Sequence, residues 1–200
     1  MYVMKLVCIE YLIEKGAFSV SSDWTSVITD IRMAIAKVMW PPGNSRFVIN
    51  PSRGRGRGEG NGVKPIKDAC MVSLQSRGWV TNERSNPYRL DAVKHLSEGH
   101  YFGLEWETGN VSSSHRSVNR ILLAHQQDNL IGGVIIVPTR SMYRFLTDRV
   151  GNFKELTPYF ALWRSYPWKE GLLVIISVEH DDTDDAVPRI SKGTDGRALV

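Results

Sequence analysis

Cysteine is nearly absent from this chain of 200 residues: only Cys8 and Cys70 occur. Both lie in apolar-patterned segments, so neither a disulfide framework nor a cysteine-built zinc cluster is expected, and a reducing, cytoplasmic setting is implied. Long apolar runs are missing too. The stretch from Val7 to Ile13 is interrupted by Glu10, is followed by Glu14 and lacks a small-residue cleavage site, and nothing approaches the ~18 apolar residues of a membrane span. No membrane association is expected. The glycines at 54, 56, 58, 60 and 62 neither follow a strand nor open a helix, and no Gly-Lys-Ser/Thr is present, which disfavours a nucleoside triphosphate site. No Ser-His-Asp set assembles either, and Ser113, just before His115, reads as a helix cap.

What is there suits one domain. A hydrophobic content of 42% is enough for a real core, and the chain divides into one domain over residues 1–178 and an acidic, polar tail over 179–200 that is expected to fray. The net charge of +4 conceals an asymmetry, because five acids crowd into "EHDDTDD" at 179–185. Residues 1–178 hold 22 Lys and Arg against 15 Asp and Glu. A moderately basic body of this kind is compatible with nucleic acid, though proteins that bind none share it.

Hydrophobic periodicity gives the elements. "MKLVCIEYLI" reads as a strand, and "SSDWTSVITDIRMAIAKVMW" as an amphipathic helix capped by Ser22 or Asp23 and stopped at Pro41-Pro42-Gly43. The glycine- and arginine-rich residues 51–62 read as a mobile loop. "PIKDACMVSLQSRG" is a second helix with Ile66, Ala69, Cys70 and Leu74 inward. A hairpin turning at residues 97–100 follows, then a helix from Ser112 with Val118, Ile121, Leu122 and His125 as its inner stripe. "GGVIIVP" and "GLLVIISV" are uniformly apolar and read as strands buried on both faces, with two helical stretches between them. The order β-α-α-β-β-α-β-α-α-β predicts an α/β fold, a mixed central sheet with helices on both faces.

The chemistry concentrates in "FGLEWETGN". Alternation puts Glu105 and Glu107 on one face of a strand, about 7 Å apart, with Leu104 and Trp106 on the other. Asp91 lies 14 residues before Glu105, and the hairpin can bring it beside that glutamate. Three converging carboxylates repel one another and call for a hard cation with oxygen ligands, such as Mg²⁺. An arbitrary E-x-E is otherwise an ordinary wet strand face. Here the flanking residues argue against that: Trp106 anchors the opposite face, and Gly109-Asn110 break into a helix rich in arginine and asparagine.

With "LDAVK", "LEWETGN", the helix after it and the buried "GVIIVP" strand in this order, the chain resembles the PD-(D/E)xK nucleases. Within them it is similar to the restriction endonucleases of the BamHI and BglII group. The superfamily's motif is an acid, then acid-x-lysine on the next strand; that group replaces the lysine with glutamate or glutamine, and Glu107 fits the variant. The resemblance implies a Mg²⁺-dependent type II restriction endonuclease that acts as a homodimer on a short palindrome in double-stranded DNA. It implies Asp91 and Glu105 as metal ligands with the Trp106 carbonyl, and Glu107 as ligand or general base. The family often adds a polar group from the preceding helix, where Asp68 is the nearest acid.

Two basic elements could hold DNA. The helix from Ser112 carries His115, Arg116, Asn119 and Arg120, types suited to bidentate reading of bases and equally ordinary on a wet helix. The loop residues Arg53, Arg55, Arg57 and Asn61 could follow a phosphate backbone. "YFALWRSYPW" suits a dimer interface or an internal core. A structure-specific repair nuclease would share the metal site, and a non-enzymatic DNA-binding regulator would use the arginines alone.

Overall fold

In a computed structural model, residues 4–53, 60–81, 86, 88–127, 129–147 and 150–192 are described. The strands are β1 (Lys5–Lys15), β2 (Val48–Ile49), β3 (Ala92–His95), β4 (Tyr101–Trp106), β5 (Leu130–Pro138), β6 (Gly171–Glu179) and β7 (Asp182–Thr183). The helices are α1 (Ser22–Ile35), α2 (Lys64–Gln75), α3 (Val111–Gln127) and three short ones, α4 (Arg140–Tyr143), α5 (Phe153–Leu156) and α6 (Phe160–Arg164).

Five strands form one mixed sheet in the order β1-β6-β5-β4-β3. The central pairs β4/β5 and β5/β6 are parallel and the two outer pairs antiparallel. Every residue of β5 is buried, because helices cover both of its faces, and this is why its sequence is a continuous apolar run. On one face Trp24, Val27 and Ile31 of α1 and Ile66, Cys70 and Leu74 of α2 pack on Phe102, Leu104, Val134 and Ile176. On the other, Val118, Ile121 and Leu122 of α3 join Phe160, Trp163, Ile135 and Ile175. The expected α/β architecture with helices on both faces is the one observed.

Three expectations fail in instructive ways. The cap of α1 is Ser21, whose hydroxyl accepts from the Trp24 N–H at 3.1 Å, and the helix ends at Ile35, short of the prolines. The first half of the tail is not frayed: β7 pairs in parallel with β2, Trp40 Nε1 donates to the Pro188 carbonyl at 2.8 Å, and Ile190 is buried. Packing against residues far away in sequence overrides the polar composition there. Asn61, read as part of a mobile loop, is fully buried, and its amide donates to the Asn50 and Phe145 carbonyls at 2.8 and 2.9 Å while its oxygen accepts from the Ile190 N–H. Its side chain fastens the scaffold instead of facing DNA.

Candidate active site

The site begins with a hairpin. Antiparallel pairing of β3 with β4 sets Ala92 opposite Leu104, and one further step of that register sets Asp91 opposite Glu105. Asp91 itself lies just before β3, where the Asn86 side chain both donates to the Leu90 carbonyl (2.8 Å) and accepts from the Leu90 N–H (3.1 Å), holding the chain as it enters the strand. Asp91 Oδ2 accepts a 2.8 Å hydrogen bond from the Trp106 main-chain N–H. The sequence-derived meeting of Asp91 with the glutamate strand is therefore present.

Glu105 and Glu107 do not line a wet face. Both are only 6% exposed, because α3 closes over their side of the sheet, and Asp91 is 4% exposed. Arg120 of α3 donates through Nη1 to Glu105 Oε1 at 2.6 Å and to the Arg89 carbonyl at 2.8 Å. Burial first, then the neighbouring Asp91 charge, pushes the Glu105 carboxyl up from 4.5 to about 8, with Arg120 and Lys67 opposing the rise.

Glu107 follows β4 directly, and its own N–H extends the ladder to the Ile136 carbonyl at 2.9 Å. Its Oε1 accepts from the Gly109 N–H at 2.7 Å, while Oε2 is buried without a hydrogen-bond partner among the described residues. Burial raises the Glu107 carboxyl above its usual range; the Gly109 N–H opposes this, as does the nearby Ser114 hydroxyl, which misses the geometry of a full hydrogen bond. The tight passage into α3 needs Gly109: a Cβ there would stand 2.5 Å from Ser113 Oγ and 3.2 Å from Glu107 Oε1. The cap of α3 is Asn110, whose Oδ1 accepts from the Ser113 N–H at 3.2 Å, so Ser113 is inside the helix and is not its cap.

One contributor escaped the sequence reading. Lys67 of α2 places its ammonium on Asp91 Oδ1, while Asp68, the acid singled out on that helix, points outward to Lys64 at 2.6 Å. A signal existed. Lys67 shares a helical row with the inward residues Met71 and Leu74, at spacings of four and seven.

The remaining residues divide. Arg116 is exposed and hydrogen-bonded to Ser113 Oγ at 2.9 Å, and Asn119 and Arg53 are exposed. His115 packs edge-on against Tyr159 (4.2 Å) and lies near Trp163 (5.2 Å), so its ring is engaged by the aromatic segment. Arg55 and Arg57 fall outside the described residues.

All the donors here are oxygens, the chemistry of a hard divalent cation. Among the described residues no three acidic, histidine or cysteine side chains stand ready-made as a metal cage. The carboxylates are instead held by Lys67 and Arg120.

A mixed sheet whose edge hairpin buries three carboxylates beside a helix with exposed Arg and Asn has the architecture of the restriction-endonuclease class. Known proteins agree. The chain belongs to the BamHI restriction endonuclease family, whose model matches residues 4–197. It is 47% identical over 202 residues to the type II restriction enzyme OkrAI of Oceanobacter kriegii, covering 98% of this chain and 100% of that one. It is 32% identical over 179 residues to the type II restriction enzyme BamHI of Bacillus amyloliquefaciens, covering 84% and 80%. The fold also matches the crystal structure of restriction endonuclease BglII complexed with a DNA 16-mer, with a TM-score of 0.62 at 11% identity over 94% of this chain and 90% of that one. The protein is thus a type II restriction endonuclease, a site-specific deoxyribonuclease.

Proposed function

We propose that the enzyme cuts both strands of double-stranded DNA at a short palindrome, as a homodimer, with Mg²⁺ held by Asp91, Glu105 and the Trp106 carbonyl. The observation that carries the metal reading is Glu107 Oε2, a buried carboxylate oxygen that completes no hydrogen bond among the described residues, beside two further buried acids. A buried charge left so is costly unless a cation completes it. When bound, the ion supplies charge neutralisation at the scissile phosphate and acidifies water.

The rest falls to the chain's own residues. Asp91, fixed by the Trp106 N–H, orients its carboxylate toward Glu105. Glu107 occupies the position of the commoner lysine and serves as ligand or as base for the attacking water, its Oε1 pinned by the Gly109 N–H. Arg116 and Asn119 on the open face of α3, and Arg53 with Arg55 and Arg57, are the groups proposed to meet DNA.

A two-fold protein suits a two-fold site. Leu123 of α3 is 51% exposed and Leu162 of α6 66%, and His115 of α3 lies 5.2 Å from Trp163 of α6; these exposed leucines on neighbouring helices support this side of the molecule as the dimer contact.

The deciding experiment is digestion of phage DNA with Mg²⁺, alongside Asp91→Ala, Glu105→Ala and chelated controls. Discrete fragments from the wild type alone are expected. Equal cutting by wild type and variants, or by the chelated enzyme, refutes the assignment.

A further inference from the structure

We propose that Lys67 is the resident counter-ion of the carboxylate centre, displaced from Asp91 when a divalent ion loads and then turned toward a DNA phosphate. This rests on the metal-site reading above and adds to it a mobile cation from α2. Asp91 has two oxygens: Trp106 N–H holds one, and the Lys67 ammonium holds the other. An incoming metal ion therefore meets an oxygen that is already paired. The two cations of the site differ in their side chains. Arg120 is doubly fastened, to Glu105 and to the Arg89 carbonyl. Lys67 rides on a four-carbon stem from a helix anchored by the buried Ile66 and Cys70, and its side chain reaches solvent at 21% exposure. Its stem lets the ammonium move while its helix stays put.

Charge makes the exchange directional. Asp91, Glu105 and Glu107, when ionised, carry three negative charges against two positive ones from Lys67 and Arg120. A divalent ion converts this small deficit into a surplus, which repels the ammonium from the centre and attracts an anionic phosphate. Metal and DNA loading then reinforce each other through Lys67, a positioning residue.

The test is calorimetric titration of Ca²⁺, an oxygen-seeking divalent probe, into wild type, Lys67→Met and the charge-retaining Lys67→Arg. It is run at alkaline pH so that protons do not compete, without DNA and with a fragment that the wild type cuts. Without DNA, Lys67→Met is expected to bind Ca²⁺ about tenfold more tightly than wild type, because no ammonium has to leave, with Lys67→Arg close to wild type. The same methionine variant is expected to bind DNA more weakly, with a salt dependence shallower by about one phosphate contact. In wild type labelled with ¹³C-lysine, the Lys67 Cε resonance shifts on Ca²⁺ addition, a readout independent of how well any variant folds. Wild type that binds Ca²⁺ while Lys67→Met shows an unchanged Kd, or while the Lys67 resonance stays still, overturns the counter-ion role alone. Wild type that binds no Ca²⁺ even with DNA overturns the metal site as well.

Discussion

The Trp106 N–H donates to Asp91 Oδ2 at 2.8 Å, so the backbone between the two glutamates is bonded to the third acid. The centre is thereby one rigid object, and its geometry can be separated from its charge.

Asp91→Asn makes that separation. The amide oxygen still accepts from Trp106 while the negative charge and the ion pair to Lys67 are lost, so cleavage is expected to fall by roughly a hundredfold or more with only a modest loss of stability. Single-turnover cleavage alongside thermal unfolding checks it. A parallel collapse of both would make Asp91 a structural residue.

Glu105 links the centre to pH. Its carboxyl rises from 4.5 unfolded to about 8 folded, chiefly through burial, so the folded chain binds more protons than the unfolded one between those values. The metal-free enzyme is accordingly expected to lose stability as pH rises from about 4.5 to 8 on account of this group, and Glu105→Gln to flatten that slope. Unfolding midpoints across the range, taken in chelator, decide the point. A slope unchanged in the variant would remove Glu105 as its cause.

Glu107→Gln keeps the acceptor for Gly109 and removes the unpartnered charged oxygen. The expected result is an enzyme at least as stable as the wild type and nearly inactive, because one buried unpaired charge has gone from the metal-free protein. Denaturant midpoints and a plasmid-nicking assay measure the two halves. Loss of stability would show that the lone oxygen is satisfied in solution.

Gly109→Ala drives a methyl into Ser113 and is expected to cost about 1–3 kcal/mol while shifting the start of α3 off Glu107. Adding Ser113→Gly should restore part of both stability and cleavage. Independent, additive losses would sink the steric explanation.

Much of this was legible in sequence because two periods carry it. Uniform apolar runs betray the doubly covered strands β5 and β6, and alternation in β4 pairs Glu105 with Glu107. Alternation gave their shared side but not their burial, since a strand pattern cannot reveal that α3 lies over it. Lys67 and Asp91 meet across 24 residues through tertiary packing that no local period encodes. Asn61 and the described part of the tail depart from their polar sequence pattern for the same reason: their polar atoms are satisfied by distant backbone, as the Asn61–Ile190 bond shows.

Asn61 has a further implication. Its amide donates to the Asn50 carbonyl at 2.8 Å, so the two ends of the Arg-Gly sequence are clasped together. Residues added beyond a clasp cost only a slowly growing closure entropy. The segment between Asn50 and Asn61 is thus expected to accept insertions and deletions while the carboxylate hairpin is inherited intact.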